Sequence, residues 1–232
     1  MRLDTQVVVI TGAAGALGQA VAQAVIERGG SAVLLVRSEL PAERYAAAAD
    51  RVAVCQADLR VPAAVAAAID AALARFGHID ALVNIAGDFT YARVEDSPPD
   101  TWQAMFDINL MTAVTTSRAV LPHLPRDGSG RIVNIGALAA GKAGAGMGPY
   151  AASKAAVARL TEALAEELRP ERITVNAVLP SVIDTPRNRH DMPDADFSTW
   201  VAPERIAEVI VFLLSGHSGA VTGTLLPVTG RG

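Results

Sequence analysis

Tyr150 and Lys154 stand four residues apart at the start of a predicted helix (151–168), a spacing that brings both side chains to one face. A phenol beside an ammonium is an acid–base pair. The positive charge favours the phenolate, so Lys154 is expected to lower the Tyr150 pKa from its reference of about 10 toward the working range of a proton donor. A second chemical signature lies near the N-terminus, where a strand ending at Thr11 runs into Gly12-Ala13-Ala14-Gly15-Ala16-Leu17-Gly18 and then into a helix. Glycines permit the tight turn, and a helix N-terminus offers free N–H groups and positive dipole to a pyrophosphate. A bland strand-to-helix turn is the rival reading of the three glycines.

A dinucleotide bound at such a turn is discriminated at the end of the second strand. An acid there accepts hydrogen bonds from the ribose of NAD, whereas an arginine pairs with the 2′-phosphate of NADP. Here Val36 is followed by Arg37, so NADP(H) is the preferred cofactor and NAD(H) the second choice. The alternative is that Arg37 is an ordinary solvated charge.

These residues need a frame. Short β-branched runs near 6–11, 32–37, 51–55, 81–84, 131–136, 174–178 and 225–228 alternate with Ala-rich helical stretches such as 63–76 and 151–168. That alternation specifies βαβ units feeding a buried parallel sheet, an α/β doubly wound Rossmann domain of seven strands. No linker or repeat divides the chain, so 1–232 reads as one domain. The stretch at about 181–203 is the most irregular, and a loop of that length in a compact domain suits a substrate lid.

Composition narrows the function. With 51% hydrophobic and 19% charged residues the chain can bury a large core, and a net charge of −4 with no Lys/Arg run gives nothing to attract nucleic acid. Four His in no cluster argue against a metal site, and the one cysteine, Cys55 in an apolar run, reads as a buried thiol. No apolar run approaches the roughly 18 residues that span a bilayer, and no leader precedes the first strand, so a cytoplasmic protein acting on a small molecule is expected.

Taken in order, these features resemble the short-chain dehydrogenase/reductase family over essentially the whole chain. The resemblance rests on the Gly12–Gly18 turn, Asp58, Asn84-Ile85-Ala86-Gly87, Asn109, Tyr150 with Lys154, and Pro180 with Thr185. It implies an NAD(P)-dependent oxidoreductase. Tyr150, Lys154 and Asn109 would be catalytic, with Asn109 holding a water of the proton relay. Gly12, Gly15, Ala16, Leu17, Gly18, Arg37, Asp58, Leu59, Asn84, Ala86, Gly87, Pro180, Ile183 and Thr185 would surround the cofactor. Asp58 would meet the adenine, Asn84 would steady the sheet, and Lys154 would also hold the nicotinamide ribose. Relatives pair through helices equivalent to 101–121 and 151–168, which implies a homodimer or homotetramer.

Two positions depart from the family pattern. Ala16 stands where its second glycine is usual, and Ala137 stands thirteen residues before Tyr150, where its catalytic serine is usual. Losing a donor to a developing oxyanion costs on the order of 10²–10³ in rate. An unactivated ketone would bear that cost in full, whereas an electron-poor acceptor would not. Dihydropteridine reductase, a branch of the family that also does without the serine, is similar to this chain at Gly15–Gly18, 144–150, 184–189 and 192–200, although it resembles an NADH enzyme with an acid after its second strand. The acceptor is therefore read as activated, of the quinonoid dihydropteridine kind, with Phe89, Ala137, Met192, Phe197 and Trp200 as candidates to line its pocket and Tyr91 beside them. Two rivals stand against this: a general alcohol/ketone oxidoreductase, and a dinucleotide-binding scaffold that has lost catalysis.

Overall fold

The computed structural model describes residues 1–38, 40 and 42–230. Seven strands make one sheet: β1 (Val7–Thr11), β2 (Ser31–Val36), β3 (Val52–Gln56), β4 (Ala81–Asn84), β5 (Arg131–Ile135), β6 (Thr174–Pro180) and β7 (Leu225–Val228). Their order is β3-β2-β1-β4-β5-β6-β7 and every pairing is parallel. The α/β doubly wound architecture read from the sequence is present.

Continuous apolar runs become central strands because both faces are covered. All five residues of β1 and of β5 are buried. Helices α1 (Ala16–Glu27) and α7 (Pro203–Leu214) cover one face, while α2 (Pro62–Phe76), α4 (Thr112–Val120) and α5 (Gly148–Glu167) cover the other. The short α3 (Pro99–Phe106) runs into a π turn over Asp107–Met111 before α4 begins. At the edge, β3 alternates instead: Val52 is buried and Val54 is exposed. Cys55 is accordingly half-buried rather than fully buried, and desolvation raises its thiol pKa.

From β1 the chain winds outward through β2 and β3, then returns to place β4 on the other side of β1. The carboxyl ends of β1 and β4 thus flank the topological switch point, where ligands of open α/β sheets bind.

The stretch expected to be irregular is more ordered than its prolines suggest. It holds α6 (Pro186–Asp191), with Pro186 in its first turn and Thr185 Oγ1 accepting from Asn188 N at 3.1 Å, and a 3-10 turn at Phe197–Thr199 capped by Asp196. Proline is compatible with a helix's first position because its missing N–H would be unpaired there anyway. A bridge between Ile183 and Val201, with Val201 N donating to Val182 O at 2.9 Å, closes the base of the segment. Among the described residues no helix is long and apolar enough to cross a membrane.

Candidate active site

The Gly12–Gly18 turn is built around two backbone approaches that exclude side chains. Gly12 has φ +62°, and a Cβ there would meet Ala86 N at 2.9 Å; one on Gly18 would overlap Gly12 O and lie 2.7 Å from Ala13 Cα. Thr11 Oγ1 accepts hydrogen bonds from Ile85 N (2.9 Å) and Ala86 N (3.0 Å), tying the end of β1 to the end of β4. Gly15 caps α1 with no side chain bonded to the first turn, and that turn carries no acid. Its leading N–H groups therefore suit an anion. Leu17 is buried in the core, so it can offer a ligand only its backbone.

Asn84, at the end of β4, is satisfied internally. Its Nδ2 donates to Asn134 Oδ1 (2.9 Å) and Ser117 Oγ (3.1 Å), and its Oδ1 accepts from Thr116 Oγ1 at 2.6 Å. The residue ties strands β4 and β5 to α4. Toward the adenine end expected from the sequence, Arg60 grips Asp58 through two nitrogens at 2.6 and 3.0 Å. Those bonds, reinforced by the Arg60 backbone, hold the Asp58 carboxyl down at about 2, with a smaller contribution from the nearby Arg37 charge. Arg37 is exposed and Leu59 half-buried.

Across the cleft, α5 presents Tyr150 and Lys154. Lys154 is 5% exposed, and its Nζ donates to Ile135 O at 2.8 Å. The same nitrogen lies 3.2 Å from where a Cβ of Gly87 would be, so the loop after β4 closes directly over it. Burial pushes the Lys154 ammonium down to about 8 and the Tyr150 phenol up to about 12. The expected lowering of the tyrosine by the lysine is thus corrected: desolvation of the phenolate, not attraction to the ammonium, sets the direction here. Both groups favour their neutral forms because each is removed from water.

Asn109 sits in the π turn, a local widening that often marks functional positions. Its Nδ2 donates to Asp88 O and to Ser153 Oγ, and its Oδ1 accepts from Asp88 N, all at 3.0 Å. Both amide protons are used, so a water expected at Asn109 would find no side-chain donor there and only acceptor capacity. Ser153 Oγ in turn donates to Tyr150 O at 2.7 Å.

Of the acceptor-side candidates, Phe89 packs edge-on against Tyr150 with ring centres 5.0 Å apart. Ala137 is buried and places only a methyl at the end of β5. Tyr91 covers Gly146, which has φ +71°. Phe197 and Trp200 pack on each other (4.7 Å) with the Arg189 guanidinium over Phe197, and Met192 is exposed. The structure thus brings Phe89 to Tyr150 and gathers Phe197 and Trp200 into a separate cluster. Pro180 ends β6 and Ile183 joins the bridge to Val201, while the Thr185 hydroxyl oxygen caps α6.

Four residues of the site escaped the sequence reading. Ser153 adjoins Lys154 and could have been noticed there. Asp88 and Arg187 form an ion pair at 3.0 Å between residues remote in sequence, for which no local signal exists. Ser181 Oγ is buried just beyond Pro180 without a partner among the described residues, an orphaned hydroxyl suited to a ligand that supplies its own polar groups. Together with the side-chain-free cradle, it fits a dinucleotide lying across the ends of β1, β4 and β6. A surface hollow of about 550 Å³ lined by Ser97, Pro99, Trp102, Gln103 and Phe106 carries no acid–base group, so the cleft is the better site. Among the described residues no His, Cys, Asp or Glu group is arranged to hold a metal.

The chain is similar to known proteins along nearly its whole length. The short chain dehydrogenase family profile matches residues 6–196. The short-chain reductase protein NovJ of Streptomyces niveus is 35% identical over 244 residues, covering 97% of this chain and 92% of that protein. The 3-oxoacyl-(acyl-carrier-protein) reductase FabG of Vibrio harveyi is 32% identical over 245 residues, covering 99% and 98%. Among solved structures, the 3-ketoacyl-(acyl-carrier-protein) reductase from Brucella melitensis complexed with NADH superposes with a TM-score of 0.87 at 29% identity, covering 98% of both chains.

Proposed function

The chain belongs to the short-chain dehydrogenase/reductase family and is an NAD(P)-dependent oxidoreductase, and from that premise we propose a reductase in which Tyr150 delivers the proton and the acceptor is electron-poor. The observation that carries this reading is the face of α5: a half-buried phenol one helical turn from a buried ammonium, with the loop from Gly87 to Phe89 against both.

Bound nicotinamide supplies the hydride. The Gly12–Gly18 backbone and the first turn of α1 would hold its pyrophosphate, and Arg37, for which no carboxylate partner stands among the described residues, favours the 2′-phosphate of NADP(H). Lys154 would bind the nicotinamide ribose while fixing the Tyr150 environment.

Tyr150, raised to about 12, keeps its proton at neutral pH and therefore serves as the acid. Its O–H bond breaks as the proton passes to the acceptor, and the phenolate left behind is stabilised by the Lys154 ammonium until a proton from solvent replaces the one given up. Phe89 offers the edge of a platform to a flat ring. The segment Asp184–Trp200 would act as a lid, its closure excluding water from the charged groups.

Ala137 decides the acceptor class. With a methyl where a hydroxyl donor would polarise the oxygen, an unactivated ketone is slow, and a conjugated acceptor such as a quinone or quinonoid dihydropteridine is preferred. The ketoacyl reductases among the relatives favour a second reading, a general carbonyl reductase. The two are separated by NADPH and NADH oxidation with quinonoid dihydropterin, naphthoquinones and 3-oxoacyl thioesters. Ketone turnover equal to quinone turnover would overturn the activated-acceptor reading. Tight dinucleotide binding with no turnover of any acceptor would favour a scaffold. The subunit is proposed to pair with copies of itself through α3, α4 and α5.

A further inference from the structure

Asp88 stands at the centre of four contacts. Its backbone is clamped on both sides by the Asn109 amide (3.0 Å each), and its Oδ1 accepts from Phe89 N at 2.8 Å, which sets the residue whose ring packs on Tyr150. The carboxylate also meets Arg187 Nη1 at 3.0 Å. Arg187 belongs to α6, inside the segment that rises from the end of β6, whereas Asp88 follows β4. The ion pair therefore spans the cleft between the two loops that flank the acceptor.

The neighbouring basic residue shows that this reach is specific. Arg189, two positions on, is turned by about 200° around the helix. It binds Asp184 at 2.6 and 2.8 Å and covers Phe197, holding the segment to its own base. Arg187 instead reaches the loop after β4, with Asp191 farther away at 3.7 Å. Losing the Arg187 contact should thus release the segment from the cleft without unfolding it.

We propose that Asp88 is a positioning residue through which Arg187 couples closure of the 184–200 segment to the placement of Phe89 against Tyr150. The proposal rests on the reductase reading for its catalytic consequence. Its structural half stands independently. Both side chains are exposed, 68% and 47%, so the effect is modest: an exposed pair commonly shifts an equilibrium by about two- to fivefold.

Three full-length variants test it: Arg187→Ala, Asp88→Asn, which keeps an oxygen for Phe89 N while removing the charge, and the charge-swapped double variant D88R/R187D. In the ligand-free protein, chymotryptic cleavage at Phe197 and Trp200 should be about two to five times faster in the two single variants and return close to wild type in the swapped one. With saturating NADPH and a naphthoquinone, acceptor KM should rise by a similar factor in Arg187→Ala and Asp88→Asn while kcat stays within about twofold, and it should stay raised in the swapped variant, which restores the ion pair but has no side-chain oxygen for Phe89 N. Raising the salt concentration should increase the wild-type KM toward that of Asp88→Asn and leave the variant's KM nearly unchanged. Single variants indistinguishable from wild type in cleavage, or a swap cleaved no more slowly than either single variant, would overturn the coupling. Absence of turnover in the wild type itself would instead overturn the reductase reading, and the cleavage rates would still decide the clasp.

Discussion

The Gly12–Gly18 turn, the proposed cofactor cradle, and the 184–200 segment are held by opposite means. The cradle is fixed by backbone: Gly12 and Gly18 approach neighbouring main chain where a Cβ would clash, Thr11 ties two loop amides, and the Asn84 network is buried. The segment is fixed by exposed ion pairs, Arg187 to Asp88 and Arg189 to Asp184, and by an aromatic pair. Buried, fully paired groups are costly to disturb, whereas exposed ion pairs contribute little each. On the proposed reading, a nearly constant part of the cofactor meets the rigid surface and the acceptor enters past the weaker contacts, where local opening costs least.

The sharpest way to break this comparison is at the chemistry both sides serve. Tyr150→Phe should lower turnover by about 10²–10⁴ with dinucleotide affinity retained, because it removes only the transferable proton; stopped-flow hydride transfer together with fluorescence titration of NADPH measures both. Activity within tenfold of wild type would remove Tyr150 from the mechanism.

Replacing Ala137 by Ser should raise turnover of 3-oxoacyl thioesters by on the order of 10² and change that of quinones far less. Steady-state kinetics with both acceptors provides the check, and an equal effect on the two would contradict the activated-acceptor reading.

The pH dependence follows from Lys154. Its folded pKa lies at about 8, below the ordinary lysine value, so the ammonium is present below that pH and lost above it. Reductive kcat/KM should therefore fall about tenfold per pH unit above 8, since Tyr150, at about 12, stays protonated over that range. The same depression means that the unfolded chain binds the extra proton between pH 8 and the ordinary value, so stability should rise with pH across that window. Lys154→Arg should abolish the falling limb, because arginine remains charged.

Gly18→Ala tests the rigid side. The added methyl meets backbone that cannot yield, so dinucleotide affinity should drop at least about tenfold, with a stability loss of about 1–3 kcal/mol by thermal denaturation. In the 184–200 segment, Phe197→Ala should cost about 1 kcal/mol or less of stability and shift acceptor KM only a few-fold. If the two substitutions proved equal in stability cost, the contrast between a backbone-built and a side-chain-built wall would fail.

The fold was legible because β-branched runs and Ala-rich stretches write their periods directly into the chain; β4 and β7 fall at 81–84 and 225–228 as read, and other strand boundaries differ by a residue or two. The glycine turn and the Tyr150–Lys154 spacing were legible for the same reason, being local patterns with local geometry. Helix α6 was missed because Pro186 and Pro193 suggest a loop, although proline at a helix's first position is compatible with one.

What the sequence determined alone was the alternation of strands and helices, the four-residue spacing of Tyr150 and Lys154 and the absence of a hydroxyl at position 137, all of which depend on residue type and short spacing. Only the tertiary structure decided that burial outweighs the lysine in setting the Tyr150 pKa, that Asn109 spends its amide on Asp88 and Ser153, and that Arg187 crosses the cleft to Asp88. Each of these depends on desolvation or on contacts between residues far apart in the chain, and neither quantity exists until the sheet and its helices have packed.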